Sequence, residues 1–200
     1  LTVKIITPLP KSCYLACSGG IDSMFALHFL RASRRDVQPL YFNHGTKFGQ
    51  QCEDFLRSEL DSPVICGKIE KTCKPGRSLE DFWRECRYNF LDQFTDRPVI
   101  MVHHLDDQIE TLLQGFAQGK TNRVIPYKRG NYIRPFIYVS KKEIKEYVIR
   151  RGVTYLNDPS NDDCSFTRNR IRNNIIPELL KVNPGLYKSM KKLINPVEFR

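Results

Sequence analysis

Leu15-Ala16-Cys17-Ser18-Gly19-Gly20-Ile21-Asp22-Ser23, running on into Met24-Phe25-Ala26-Leu27-His28-Phe29-Leu30, is the stretch that decides the fold. A short apolar run meets Ser-Gly-Gly, and Met24, Leu27, Phe29 and Leu30 then recur at close to helical spacing. Two adjacent glycines at a strand-to-helix junction let the backbone turn tightly and approach a ligand. The helix that follows aims unpaired N–H groups and the positive end of its dipole at the same point, which suits an oxyanion. Ser18 and Ser23 add hydroxyls. Asp22 adds a carboxylate, which belongs beside a phosphate when magnesium accompanies it. Single residues of this kind are common in ordinary turns and caps. The whole string after a strand points to nucleotide phosphate.

Outward from this stretch, strand alternates with helix. The pattern predicts strands over 14–17, 37–43, 64–69 and 98–102. It predicts helices to about residue 32, over 52–60 and 79–94, and from 109 to 116. Such alternation implies an α/β fold, a parallel twisted sheet with flanking helices and right-handed crossovers. Ligands of such sheets bind outside the carboxyl ends of the strands. Ser18–Ser23, Asn43-His44-Gly45 and His103–Asp107 all fall at those ends. After Gly119 the character changes. Residues 131–138 read as short, extended and apolar, and Ser140 with Glu143 forms a capping box for a helix over 141–151 that Gly152 closes. Residues 155–163 form a polar loop. A helix from Thr167 to about Asn183 and a last one to about Ile194 follow. The expected organisation is a nucleotide-binding α/β domain over 1–125 and a small, mostly helical, basic portion over 126–200.

Charge sharpens that division. The net charge is +10, yet residues 1–119 hold 14 Lys/Arg against 15 Asp/Glu, and residues 120–200 hold 18 against 7. An excess confined to one part implies a polyanion-binding face, with nucleic acid as the expected partner. Seven scattered cysteines, with no C-x-x-C pair, argue against a disulfide framework, a zinc ribbon or an iron–sulfur site. They read as free thiols in a reducing compartment, so the expected localisation is cytoplasmic. No apolar run approaches the ~20 residues of a membrane span.

His103-His104-Leu105-Asp106-Asp107-Gln108-Ile109-Glu110-Thr111 is the second dense site. Its acids suit a helix's first turn. Asp107 and Glu110, three apart, can also share a face and serve a metal beside a nucleotide phosphate, while the histidines can bind phosphate or move protons. Gly115-Phe116-Ala117-Gln118-Gly119-Lys120-Thr121 nearly spells a Walker loop, but it follows a helix and has three residues between its glycines where four are needed. Arg168 and Arg172 share a helix face near its start, where cations oppose the dipole and call for an anionic partner.

Ser-Gly-Gly-x-Asp-Ser resembles the PP-loop of the ATP pyrophosphatases. His-His-x-x-Asp-Gln-x-Glu-Thr resembles the tRNA(Ile)-lysidine synthetase family within that class. Asn43-His44-Gly45, Arg84-Glu85-x-Arg87-Tyr88, Arg134-Pro135-Phe136, Asp158-Pro159-Ser160-Asn161 and Arg168-Asn169-x-Ile171-Arg172 with Ile176-Pro177 follow that family's order. The resemblance implies a ligase that uses ATP to adenylate the wobble cytidine of a CAU-anticodon isoleucine tRNA. The amine of L-lysine then displaces AMP, and pyrophosphate is the other product. By carry-over, Ser18, Gly19, Gly20, Asp22, Ser23, Asn43, His44, His103 and Arg168 bind ATP. Asp22, Asp107, Arg172 and His104 are catalytic, and Asp22, Asp107 and Glu110 hold magnesium. The chain departs from the family in having Gln118-Gly119-Lys120 where Arg-Gly-x-Gly is usual, and Thr46-Lys47 where an Arg is common. It ends at Arg200, which makes the expected protein a short form without the additional C-terminal domains. A PP-loop tRNA thiolase, a small-molecule amidating ligase and a catalytically silent RNA-binding relative remain alternatives.

Overall fold

In the computed structural model, residues 3, 5, 8–70, 72–73, 76, 78–120, 124–158 and 167–194 are described. Pro159, Ser160 and Asn161, the rest of the polar loop to Asp163, and Cys164 lie outside them. The elements run β1 (Ser12–Ala16), α1 (Ile21–Ala32), β2 (Asp36–Asn43), α2 (Lys47–Glu59), β3 (Ile65–Lys68), α3 (Leu79–Leu91), β4 (Val99–Ile100) and α4 (Leu105–Ala117). There follow β5 (Lys128–Arg129), β6 (Tyr132–Ile133), α5 (Lys141–Arg151) and α6 (Thr167–Arg170). A π-helical turn (Ile171–Ile175), α7 (Ile176–Val182) and α8 (Leu186–Leu193) are the last elements among the described residues.

The strand order is β3-β2-β1-β4-β6-β5, with every pairing parallel except β5 against β6. Alternation along β1 explains the layering. Cys13, Leu15 and Cys17 face one side with Val37, Ile100 and Ile133, where α1, α2 and α5 pack. Tyr14 faces the other side with Leu40, Val99 and Tyr132, against Tyr88 and Leu91 of α3. Phe25, Phe29, Phe136 and Tyr147 stack in edge-on and tilted contacts that fasten α5 to α1. A third cluster joins Leu105 and Ile109 of α4 to Ile171, Ile176 and Met190, so the C-terminal helices dock on α4. The chain crosses from one side of β1 to the other between β3 and β4. This puts the topological switch point between β1 and β4, where the loops after both strands meet.

The α/β reading holds, with local corrections. Helix α2 starts at Lys47 rather than Cys52 because Thr46 accepts the Gly49 N–H and caps it. Helix α4 starts at Leu105 rather than Ile109, capped by His104. The extended stretch predicted over 131–138 pairs only at Tyr132–Ile133. Pro135 cannot donate to a ladder, and the chain turns there, with Val139 N–H bonding to Phe136 O. The helix predicted from Thr167 to Asn183 widens into the π turn just ahead of Pro177, whose missing N–H would have bonded Asn173 O. The near-Walker glycines are a helix stop. Gly119 sits at φ 68°, and Lys120 N–H reaches back to Gly115 O at 2.8 Å.

Gly67 of β3 tests this packing. A Cβ there would stand 2.5 Å from Phe90 of α3. Gly67→Ala is expected to cost about 1–3 kcal/mol in urea denaturation, with Phe90→Leu in the same chain recovering part of the loss.

Candidate active site

The loop after β1 is built as its sequence suggests. Gly19 takes φ 81°, and a Cβ on it would press on Phe55 at 3.4 Å. Gly20 caps α1 with extended backbone and no side-chain bond, which leaves the first N–H groups of the helix open. Ser23 Oγ donates to Gly20 O at 2.9 Å and accepts from Ser18 N at 3.2 Å, so it fixes the loop's curl. Ser18 is exposed. From the far side, Leu156 N donates to Gly19 O at 2.9 Å, which brings the segment leading to Asp158 against the loop.

Beside the loop stands a ladder of alternating charge. Lys141, at the start of α5, puts Nζ 2.5 Å from Asp22 Oδ1. His104 Nε2 is 3.8 Å from the same oxygen, and its Nδ1 accepts the Asp107 N–H at 3.4 Å. Asp107 Oδ2 returns a bond from His104 N at 2.8 Å, a reciprocal capping box with histidine in the place of serine. Asp107 Oδ1 takes Arg168 Nη2 at 2.8 Å. Glu110, 1% exposed, takes Arg168 Nε on Oε2 and Arg172 Nε on Oε1, each at 2.6 Å. Burial alone would raise the Asp107 pKa, but His104, Arg168 and the His104 N–H outweigh it and hold Asp107 below the usual carboxylate value. The Arg172 guanidinium moves the other way. Burial opposes its charge, and the Glu110 bond and charge more than restore it.

These positions sort the candidate residues. Asp22, His104, Asp107, Glu110, Arg168 and Arg172 come together. The three carboxylates grouped for magnesium do not offer equal access, however. Both oxygens of Asp107 and both of Glu110 already accept N–H groups, while Asp22 Oδ2 has no protein partner among the described residues. Among those residues no group of three His, Cys, Asp or Glu is arranged to hold a metal ion. The fit is to one carboxylate plus phosphate oxygens, a manner in which magnesium is often bound. Asn43 is 1% exposed and spends its side chain internally, donating to Glu53 and accepting the Gly45 N–H at 2.9 Å. It shapes the turn that carries His44. The ring of His44 packs on Trp83 and Phe42.

His44, Arg87, His103 and Arg134 form a second feature. Each has a buried nitrogen with no hydrogen-bond partner among the described residues: Nδ1 of the histidines and Nε of the arginines. Burial, then Arg87, lowers His44 to about 4. At His103 burial, with Arg134, Arg168 and Arg87, overrides the pull of Asp107 and lowers it to about 4. Two buried guanidinium groups, each with an open Nε–H, beside two neutral imidazoles suit an anion. Sequence reasoning missed Lys141 and Gln108. Gln108 is fully buried and clamps both backbone groups of Ile125, at 2.7 and 2.8 Å. Lys141 carried no signal beyond its place after an N-cap.

Known proteins resemble this chain over most of its length. The PP-loop domain family matches residues 3–179. A tRNA(Ile)-lysidine synthase of Lactiplantibacillus plantarum is 32% identical over 92% of this chain and 45% of its own. One of Geobacter sulfurreducens is 38% identical over 86% of this chain and 41% of its own. The chain thus spans under half the length of these relatives. An NH3-dependent NAD synthetase from Campylobacter jejuni shares the fold, with a TM-score of 0.50 at 18% identity over 94% of this chain and 86% of its own.

Two pH windows follow from the shifted groups. His44 and His103 are harder to protonate in the folded state, so stability falls as pH drops from about 6.5 toward 4, and His103→Gln flattens that decline in denaturation curves. Asp107 is easier to ionise in the folded state. Its contribution is present above about 3.8 and is lost as pH falls through its lower folded value.

Proposed function

The chain belongs to the PP-loop domain family, and on that premise we propose that it binds ATP at Ser18–Ser23, adenylates the wobble cytidine of the CAU anticodon of tRNA(Ile), and joins L-lysine there, releasing pyrophosphate and AMP. The observation that carries this reading is the ladder from Lys141 to Arg172 beside the loop. It sets acids, a histidine and guanidinium groups around the place where an α-phosphate would be attacked.

The roles follow from the partners. The open N–H groups at the start of α1, with the exposed Ser18 hydroxyl, hold the phosphates, and Ser23 holds the loop in the shape that receives them. His44 and His103 line the neighbouring anion-complementary cluster and serve the same triphosphate or the RNA backbone. Magnesium, when bound with the nucleotide, neutralises charge at the phosphates, and Asp22 is the residue that would hold it. Arg168 and Arg172 answer the charge developing on phosphate, in the way preorganised cations do in phosphoryl transfer. Asp107, kept ionised, orients Arg168 and the His104 ring. His104 accepts the proton that the lysine amine gives up on Nε2, in the tautomer whose Nδ1–H faces the Asp106 and Asp107 carboxylates, 3.7 and 3.5 Å away, instead of accepting the Asp107 N–H. The basic portion over 126–200 carries the tRNA.

A sulfur-transfer reading finds less support. Cys17, which adjoins the loop, is 2% exposed, and burial pushes its thiol up, away from the thiolate such chemistry needs.

The test is incubation with ATP, labelled lysine and a CAU-anticodon tRNA(Ile) transcript, scored for label on the RNA and AMP released. Asp22→Asn should lower turnover by a factor of about 10² or more and leave RNA binding intact. Full turnover in that variant would remove Asp22 from the site, and sulfur on the RNA by mass spectrometry would replace the reaction.

A further inference from the structure

The last helix, α8, is tied to the ATP loop by three consecutive bonds. Tyr187 Oη donates to Asp106 Oδ1 at 2.5 Å. Asp106 Oδ2 accepts the backbone N–H of Lys141 at 2.7 Å. Lys141 Nζ then meets Asp22 Oδ1 at 2.5 Å. Asp106 lies 3.7 Å from His104 Nδ1 as well, so one half-buried carboxylate touches α8, the start of α5 and the central histidine of the ladder. The first N–H groups of a helix have no intrahelical partner. Asp106 supplies one for α5, and in doing so sets where Lys141 stands.

The other face of α8 is different in kind. Leu186, Tyr187, Met190 and Ile194 pack toward α4. Lys188 and Lys192, one turn apart, are exposed, with Lys191 half-buried beside them. None of the three forms an ion pair among the described residues, whereas Arg168, Arg172, Lys141 and Lys181 all have carboxylate partners. Unneutralised lysines on one helical face suit a run of phosphates.

We infer that the lysine face of α8 docks RNA phosphates and that Tyr187, through Asp106, makes this docking and the placement of Lys141 at Asp22 one coupled event. Tyr187 is a positioning residue. It touches no reacting atom but fixes the element that carries Lys141. The partner's identity rests on the function proposed above; the coupling is read by binding alone. By linkage, RNA on α8 then tightens nucleotide at the loop, and nucleotide tightens RNA by the same factor.

The experiment uses the full chain, a CAU anticodon stem–loop and a non-hydrolysable ATP analogue with magnesium, titrated separately and together. In the parent the stem–loop is expected to tighten the analogue by about tenfold. Replacing Lys188, Lys191 and Lys192 by Ala should weaken the stem–loop and reduce the salt dependence of its binding by about two to three phosphate contacts. Tyr187→Phe keeps the ring and its packing. It should leave stem–loop affinity without nucleotide unchanged, lower the melting temperature only slightly through the lost carboxylate hydrogen bond, and abolish the mutual tightening, and Asp106→Asn should do the same. Unchanged tightening in Tyr187→Phe, or parental RNA binding and salt dependence in the lysine variant, would overturn the inference. So would anionic phosphatidylglycerol vesicles that displace the stem–loop from the same lysines. Loss of lysidine formation with the coupling intact would instead count against the proposed reaction.

Discussion

Glu110 is a carboxylate almost wholly removed from water, and it is tolerable there only because two guanidinium groups meet it. Arg168 gives it one N–H and Arg172 gives it two, so its oxygens are fully engaged. An unpaired buried charge costs several kcal/mol, and removing one partner of a buried pair typically destabilises by about 3–5 kcal/mol. The C-terminal helices are therefore not free to leave α4. The apolar contacts of Leu105, Ile109, Ile171, Ile176 and Met190 supply the adhesion, while the Glu110 pair fixes the register. Arg168 lies in α6, and Arg172, one turn on, lies within the π turn that begins at Ile171. Widened turns of this kind recur at functional sites.

From that anchor the charges alternate outward through Asp107, His104, Asp22 and Lys141. Such neighbours matter most where burial would otherwise decide the outcome. Asp107 shows it most clearly: burial would favour its neutral form, and neighbours on both sides reverse the outcome. Members of such a network do not contribute independently, so the loss from any one change includes the strain left on its neighbours. The arrangement also divides the carboxylates by role. Asp107 and Glu110 are structural anions with no free oxygen, and Asp22, half-buried at the loop, keeps one open.

Much of this was legible in the sequence, for identifiable reasons. Ser18–Ser23 was readable because a left-handed glycine, an uncapped helix start and a preceding apolar strand are all local. The parallel sheet followed from strand–helix alternation, though not the order of its strands. What failed was decided at a distance or by single residues. The start of α4 depends on a histidine serving as a cap, which residue preferences do not suggest. Asn43 read as a ligand because it ends a strand, yet its amide is consumed by Gly45 and Glu53. The carboxylate triad looked like a metal site because spacing shows which side chains share a face. Spacing does not show that arginines sixty residues later will occupy them.

The same limit governs the charge split. The excess of basic residues after residue 119 points to a polyanion, but a count does not separate cations already used from cations left over. The structure makes that separation. Arg168, Arg172 and Lys141 belong to the interior of the site, and the exposed lysines of α8 belong to its outside. The basic portion thus does two physically distinct things with one kind of side chain. Its inward cations complete a centre that the α/β domain holds only in part, since without them Glu110 and Asp107 would be unpaired and Asp22 would lose its closest cation. A domain boundary near residue 125 would pass between groups that share hydrogen bonds. It would also cut off β5 and β6 from the sheet that they complete. The α/β half supplies the loop and the acids and the helical half supplies the cations, so the centre exists only where the two are docked.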